Sequence, residues 1–187
     1  MKKRESLSGK KIILGVTGSI SAFKSAELSS QLVQRGAEVT VVMTSGAAKF
    51  IGPLTFQAIT RNRVLIDQYD VESVTDATHI SETDNADLVI IAPATANFIG
   101  KVANGIADDL LTSLMLAIRC PVLIAPAMNN RMWENPLVQE NSKKLETILG
   151  YQIVPPGEGF LACGTYAVGR LAEPMQILQE IEQCICS

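Results

Sequence analysis

The segment LVIIAPATAN, residues 88–97, constrains this chain more than any other. Leu88, Val89, Ile90 and Ile91 follow one another without polar alternation, as in a strand covered on both faces within a parallel sheet. Pro93 has no amide hydrogen to give to a ladder, so the strand is expected to end there and deliver Thr95 and Asn97 into a loop. Open parallel sheets bind ligands beyond the carboxyl ends of their strands, which makes this loop the first candidate site.

The pattern recurs along the chain. KIILGV (residues 11–16) leads into the turn Gly15-Val-Thr-Gly18-Ser-Ile-Ser21, and EVTVVM (38–43) ends in Thr44-Ser45-Gly46. PVLIA (121–125) is again broken by proline, with Met128-Asn129-Asn130 beyond it. Between strands the spacing predicts a helix from Ser19 or Ser21 to Arg35 closed by Gly36, and a short helix over 53–60. A single long helix is expected over 100–118, and another opened by Asn135-Pro136 and closed by Gly150. A weak strand is expected near 64–66 and a last one over 151–154. Pro174 opens a terminal helix with Met175, Leu178, Ile181 and Ile185 on one face. The first strand, helix and strand form a right-handed parallel crossover. The fold expected is one α/β domain over residues 1–187: a doubly wound parallel sheet, Rossmann-like (flavodoxin-like). Residues 1–10 read as a flexible lead. Residues 155–173, glycine-rich and irregular, are too long for a passive connector and read as either a functional loop or a disordered one.

Composition excludes several classes. Of 187 residues 47% are apolar, which suits a two-sided core and an apolar oligomer interface. No apolar run approaches the length of a membrane span, so no membrane partner is expected. The net charge is −3 and the only basic run is Lys2 to Arg4, which disfavours nucleic acid. The N-terminus leads into no signal-peptide core, so the expected location is cytoplasmic. Cys120, Cys163, Cys184 and Cys186 lack metal spacing and read as reduced thiols, with no metal site.

The strand-end residues narrow the chemistry. Gly15 and Gly18 alone do not make the G-x-G-x-x-G fingerprint, nor does Lys24 follow a glycine as in a P-loop. Met43-Thr44-Ser45 lacks the acid that a dinucleotide ribose wants. What the strand ends share is small hydroxyls: Thr17, Ser19, Thr44, Ser45 and Thr95. Hydroxyls with free helix N–H groups suit a single phosphate, as in FMN, and the same residues serve equally as ordinary helix caps. His79, the only histidine, suits a base near neutral pH or a plain packed residue. Asn129 suits a carboxylate or a turn, Cys163 a proton donor or an inert small residue. Met132-Trp133 suits a ligand cover or core packing.

PATAN, PAMNNRMW and the late Leu161-Ala-Cys-Gly164 segment, in this order with His79 upstream, resemble the flavin-containing cysteine decarboxylases over roughly residues 10–183. The similarity is strongest to the branch that converts 4′-phosphopantothenoylcysteine into 4′-phosphopantetheine for coenzyme A, and to its form without a fused synthetase. The resemblance implies FMN held by Gly18, Ser19 and Ile20, by Thr44 and Ser45, by Thr95, Ala96, Asn97 and Phe98, and near Ala127. It implies His79 as catalytic base and Cys163 as proton donor. Asn129, Met128 and Ala162 would bind the substrate, with the loop 155–173 closing over it. It also implies a homo-oligomer, a trimer or a dodecamer built of trimers, with the cofactor at a subunit boundary. The implied reaction passes through a thioaldehyde and an enethiolate with no net redox change, the flavin acting as electron sink.

Four positions depart from the family pattern: Phe98 for a small hydroxyl residue, Asp109 for asparagine, Ala167 for glycine and Leu171 for methionine. A peptidyl-cysteine decarboxylase that stops at the enethiol is disfavoured by Cys163. A flavin prenyltransferase is disfavoured by PAMN with its following Met132-Trp133 and by the late cysteine loop, and a flavin-binding phosphatase regulator by the joint presence of His79, Asn129 and Cys163.

Overall fold

A computed structural model describes residues 6–66, 85–162 and 164–186. His79 and Cys163 therefore lie outside the described residues, as does the segment 67–84.

The parallel sheet forms as the apolar runs predict. Strands β1 (Lys11–Val16), β2 (Glu38–Met43), β3 (Val64–Leu65), β4 (Leu88–Ala94), β5 (Val122–Pro126) and β6 (Gln152–Ile153) lie in the order β3-β2-β1-β4-β5-β6, every pair parallel. The order in which strands are added reverses across the β1/β4 junction, the switch point at which such sheets open a crevice.

Side chains on successive strand residues feed opposite faces. Ile12, Leu14, Leu88, Ile90 and Ala92 enter one core, beneath helices α1 (Ala22–Gln34), α2 (Pro53–Thr60) and the terminal helix, here Pro174–Cys186. Ile13, Val89 and Ile91 enter a second core, beneath α3 (Ala96–Ala103) and α4 (Leu110–Ala117). That is why the central strands carry no polar alternation. The chain packs down from Leu7, which is fully buried and whose N–H bonds the carbonyl of Arg35.

Five expectations change. The helix expected over 100–118 is two. Its first part begins at Ala96, capped by Thr95, and ends near Gly105, whose φ of 68° is left-handed. Asp109 then starts the second part through a capping box with Thr112. Strand β4 does not end at Pro93 but continues through Ala94, with a register shift after Ile91 that absorbs the missing donor. A short helix, α5 (Asn130–Trp133), precedes α6 (Pro136–Thr147) and was not expected. Residues 155–173 are not irregular: β7 (Gly157–Phe160) and β8 (Tyr166–Arg170) pair antiparallel as a hairpin. On the terminal helix α7 (Pro174–Cys186), Leu178 and Ile181 are buried as expected. Ile177 takes the core position assigned to Met175, which is half exposed.

Candidate functional site

The carboxyl ends of β1, β2, β4 and β5 open into one cavity of about 1020 Å³, closed on its far side by the β7/β8 hairpin. That volume is at the upper end for small-molecule sites and admits two ligands side by side.

The strand-end wall is tied together from below. Thr17 is buried; its hydroxyl donates to the Pro93 carbonyl at 2.8 Å and accepts from the Thr95 N–H at 3.0 Å. One side chain thereby locks the β1 turn to the β4 turn. Ser25, buried on α1, donates to the Ala92 carbonyl at 2.6 Å and fixes the same junction from the helix side. The Thr44 N–H reaches the Val16 carbonyl, and the Thr44 hydroxyl accepts from Ala47 N–H. Gly18 makes a close approach here: a Cβ on it would stand 3.1 Å from the Gly46 carbonyl carbon, so two loops meet backbone to backbone.

Within this wall the hydroxyls have a double use. Thr95 caps α3 by accepting from the Phe98 N–H at 3.3 Å, so residues 95–98 form the turn and first helical residues facing the cavity. Ser19 accepts from the Ser21 N–H, while Ser21 makes no side-chain cap bond. Each of the ten residues expected to hold a cofactor, Gly18, Ser19, Ile20, Thr44, Ser45, Thr95, Ala96, Asn97, Phe98 and Ala127, lines the cavity. Phe98 lines it while packing into the second core, 2% exposed, which explains an aromatic where a hydroxyl would otherwise stand.

The opposite wall carries Met128, Asn129 and Ala162, the three described residues expected to bind substrate. The Asn129 amide oxygen accepts from the Arg131 N–H at 2.9 Å, which orients the side chain at the start of α5. Met132 joins the lining and Trp133 does not. The hairpin is clasped to this wall by the Met128 N–H bonding the Gly169 carbonyl at 2.9 Å. The approach is tight: a Cβ on Gly169, at φ 145°, would collide with the Met128 oxygen. At the hairpin tip, Phe160 and Tyr166 make an edge-to-face pair with centroids 5.4 Å apart.

Among the described lining residues, charge is confined to two places. At one, Lys101 pairs with Asp108 at 2.7 Å and Asp109 at 3.6 Å. The hydrogen bond to Asp108 holds the Lys101 ammonium above its ordinary pKa, and the same contact holds Asp108 below the usual carboxylate range. At the other, the buried Lys24 bonds Glu173 at 2.9 Å, and Arg170 stands 3.6 Å from the same carboxylate oxygen. The Lys24 hydrogen bond, aided by Arg170, holds Glu173 below its ordinary pKa. Sequence reasoning assigned no site role to Lys24, Lys101 or Arg170. For Arg170 the available signal was Gly164 flanked by two short segments, which marks a turn and hence a hairpin. Among the described residues no cluster of histidine, cysteine and acidic side chains suits a metal, and no helix is long and apolar enough to cross a membrane.

Comparison with known proteins agrees with this geometry. The chain is 48% identical over 177 residues to the Bacillus subtilis coenzyme A biosynthesis bifunctional protein CoaBC, covering 95% of this chain and 43% of that protein. It thus spans less than half the length of the bifunctional relatives it matches. A Streptococcus mutans protein named "probable phosphopantothenoylcysteine decarboxylase" is 42% identical, with 93% of this chain and 98% of that one covered. Among solved structures, a PPC decarboxylase mutant complexed with pantothenoylaminoethenethiol superposes with a TM-score of 0.86. It shows 32% identity and covers 95% and 99% of the two chains. The FMN-dependent cysteine decarboxylase SpaF superposes with a TM-score of 0.82 at 35% identity, over 96% and 97%. The flavoprotein family model matches residues 1–186, so that a sheet with its switch-point cavity and a sequence read end to end lead to one assignment: the chain belongs to the flavoprotein family.

Proposed function

We propose that this chain binds FMN in the switch-point cavity and decarboxylates 4′-phosphopantothenoylcysteine to 4′-phosphopantetheine, a step of coenzyme A biosynthesis. The observation that carries the reading is that one cavity gathers both residue sets, the strand-end turns on one wall and Met128, Asn129 and Ala162 on the other. The strand-end wall fits the cofactor: the Gly18–Gly46 approach leaves room for a ligand against bare backbone, and Ser19, Thr44 and Ser45 bring hydroxyls to a helix N-terminus. Bound there, FMN supplies a reversible two-electron sink, which lets a cysteinyl carboxylate leave without an unstabilised carbanion.

The chain supplies orientation and protons. His79 accepts the thiol proton as the sulfur-bearing carbon is oxidised to a thioaldehyde. Asn129 and Met128 hold the carboxylate so that, when the carbon–carbon bond breaks and CO₂ departs, its electron pair enters the thioaldehyde as an enethiolate. Cys163 then protonates the enethiolate carbon as the two electrons return, and the hairpin over 155–173, through Ala162, covers the substrate. Sequence similarity supports these roles for His79 and Cys163. The assembly inferred is a homo-oligomer, a trimer or a dodecamer built of trimers, in the cytoplasm. Ile20 and Phe23, 58% and 61% exposed at the cavity mouth, support an apolar neighbour there. The test is His79→Asn: the variant should keep its flavin absorbance and lose CO₂ release by about 10²- to 10⁴-fold, the usual worth of a positioned base. An active variant would overturn the role.

A further inference from the structure

Lys24 is 6% exposed, yet it lines the cavity from the first turn of α1. A buried lysine needs a partner, and it has one in Glu173, whose side chain is 62% exposed. Arg170 approaches the same carboxylate from β8. The trio has two cations and one carboxylate, an excess of one positive charge. The other charged group at the described lining, Lys101 with Asp108 and Asp109, has one cation and two carboxylates, so among the described residues the positive excess sits at the hairpin end alone.

Arg170 is also built into place. A Cβ on Gly159, across the hairpin, would lie 3.0 Å from the Arg170 Nη1 and 3.2 Å from its Cδ; the missing side chain is the guanidinium's bed. Its neighbour Gly169 is bonded to Met128, which places the arginine beside the substrate wall. A guanidinium is a planar fork that matches a phosphate by two parallel bonds.

We propose that Arg170, with Lys24 behind it and Glu173 as a displaceable carboxylate, docks the phosphate monoester of the substrate. The substrate is the source favoured over the cofactor, because the α1 turn with Ser19, Thr44 and Ser45 already offers donors to the cofactor's phosphate while Arg170 stands on the substrate wall. This inference rests on the phosphorylated substrate proposed above.

The test is calorimetric titration of the FMN-loaded protein with 4′-phosphopantothenate and with pantothenate. The wild type should bind the phosphorylated probe at least about tenfold more tightly, the usual worth of a charge-assisted bond. Arg170→Gln should erase that preference while leaving pantothenate affinity within about twofold and flavin absorbance intact, and Arg170→Lys should restore part of it. Gly159→Ala, which crowds the guanidinium, should act in the same direction. The proposal is overturned by a wild type without phosphate preference, by a preference that survives Arg170→Gln, or by flavin loss in that variant, which would assign Arg170 to the cofactor. Phosphate preference in a protein that releases no CO₂ would leave the site standing and remove the decarboxylase reading. CO₂ release that ignores the phosphate would do the reverse.

Discussion

The strand-end wall of the cavity stands on buried strands and is cross-tied by Thr17 and Ser25, both inaccessible to solvent. The facing wall hangs on a hairpin whose two strands pair only with each other, joined to the rest by the Met128–Gly169 bond and the Lys24–Glu173 ion pair. Its tip is exposed, with Phe160 74% accessible. A wall whose hydrogen bonds are sheltered by two cores opens rarely; a wall with few buried contacts opens easily. The first suits a ligand that stays, the second one that must enter and leave at each turnover.

Gly18→Val puts branched carbons where 3.1 Å separates a bare Cβ from Gly46 backbone, and should cut flavin affinity about a hundredfold or more, read as loss of yellow colour on gel filtration. Retention of flavin would break the comparison at its rigid side. Gly169→Ala, opposed by the Met128 oxygen, should leave colour intact and raise KM for substrate roughly tenfold through a displaced hairpin. If instead it loses flavin, the two walls are one unit.

Smaller effects sharpen the contrast in stability. Thr17→Val removes a buried hydroxyl that both donates and accepts, leaving the Thr95 N–H without it; urea denaturation should show a loss of about 1–3 kcal/mol. Glu173→Gln strips the buried Lys24 of its anion, yet Glu173 is largely exposed, so the loss at neutral pH should be about 1 kcal/mol or less. Its pH dependence has a definite sign. The folded pKa of Glu173 lies below its ordinary 4.5, so its contribution is complete above that value and is lost as pH falls through the folded pKa. The gap between wild type and Glu173→Gln should close on acidification below about pH 4.5 and stay constant above it.

The same contrast explains what was legible in the sequence. Parallel strands buried on both faces announce themselves as unbroken aliphatics, and their carboxyl ends name the site, so Thr17, Thr44 and Thr95 were found by position alone. Helix breaks were harder: Asn104-Gly105 interrupts an otherwise apolar stretch, and a single glycine is tolerated within many helices. The hairpin was hidden because GEGF and YAVGR bury little, leaving no period-two apolar pattern to detect. Arg170 and Lys24 were hidden for another reason. Their significance lies in meeting Glu173, and the separations of 146 residues to Arg170 and 149 to Glu173 from Lys24 carry no local signal.

The central claim, that the two walls hold a flavin and a phosphorylated cysteinyl substrate for a redox-neutral decarboxylation, is tested most directly by mass spectrometry. The yellow protein is incubated with 4′-phosphopantothenoylcysteine and the product weighed. Loss of CO₂ alone is the predicted result. Loss of CO₂ together with two hydrogens would contradict it in favour of an enethiol-forming enzyme, and unchanged substrate would contradict the decarboxylase assignment itself.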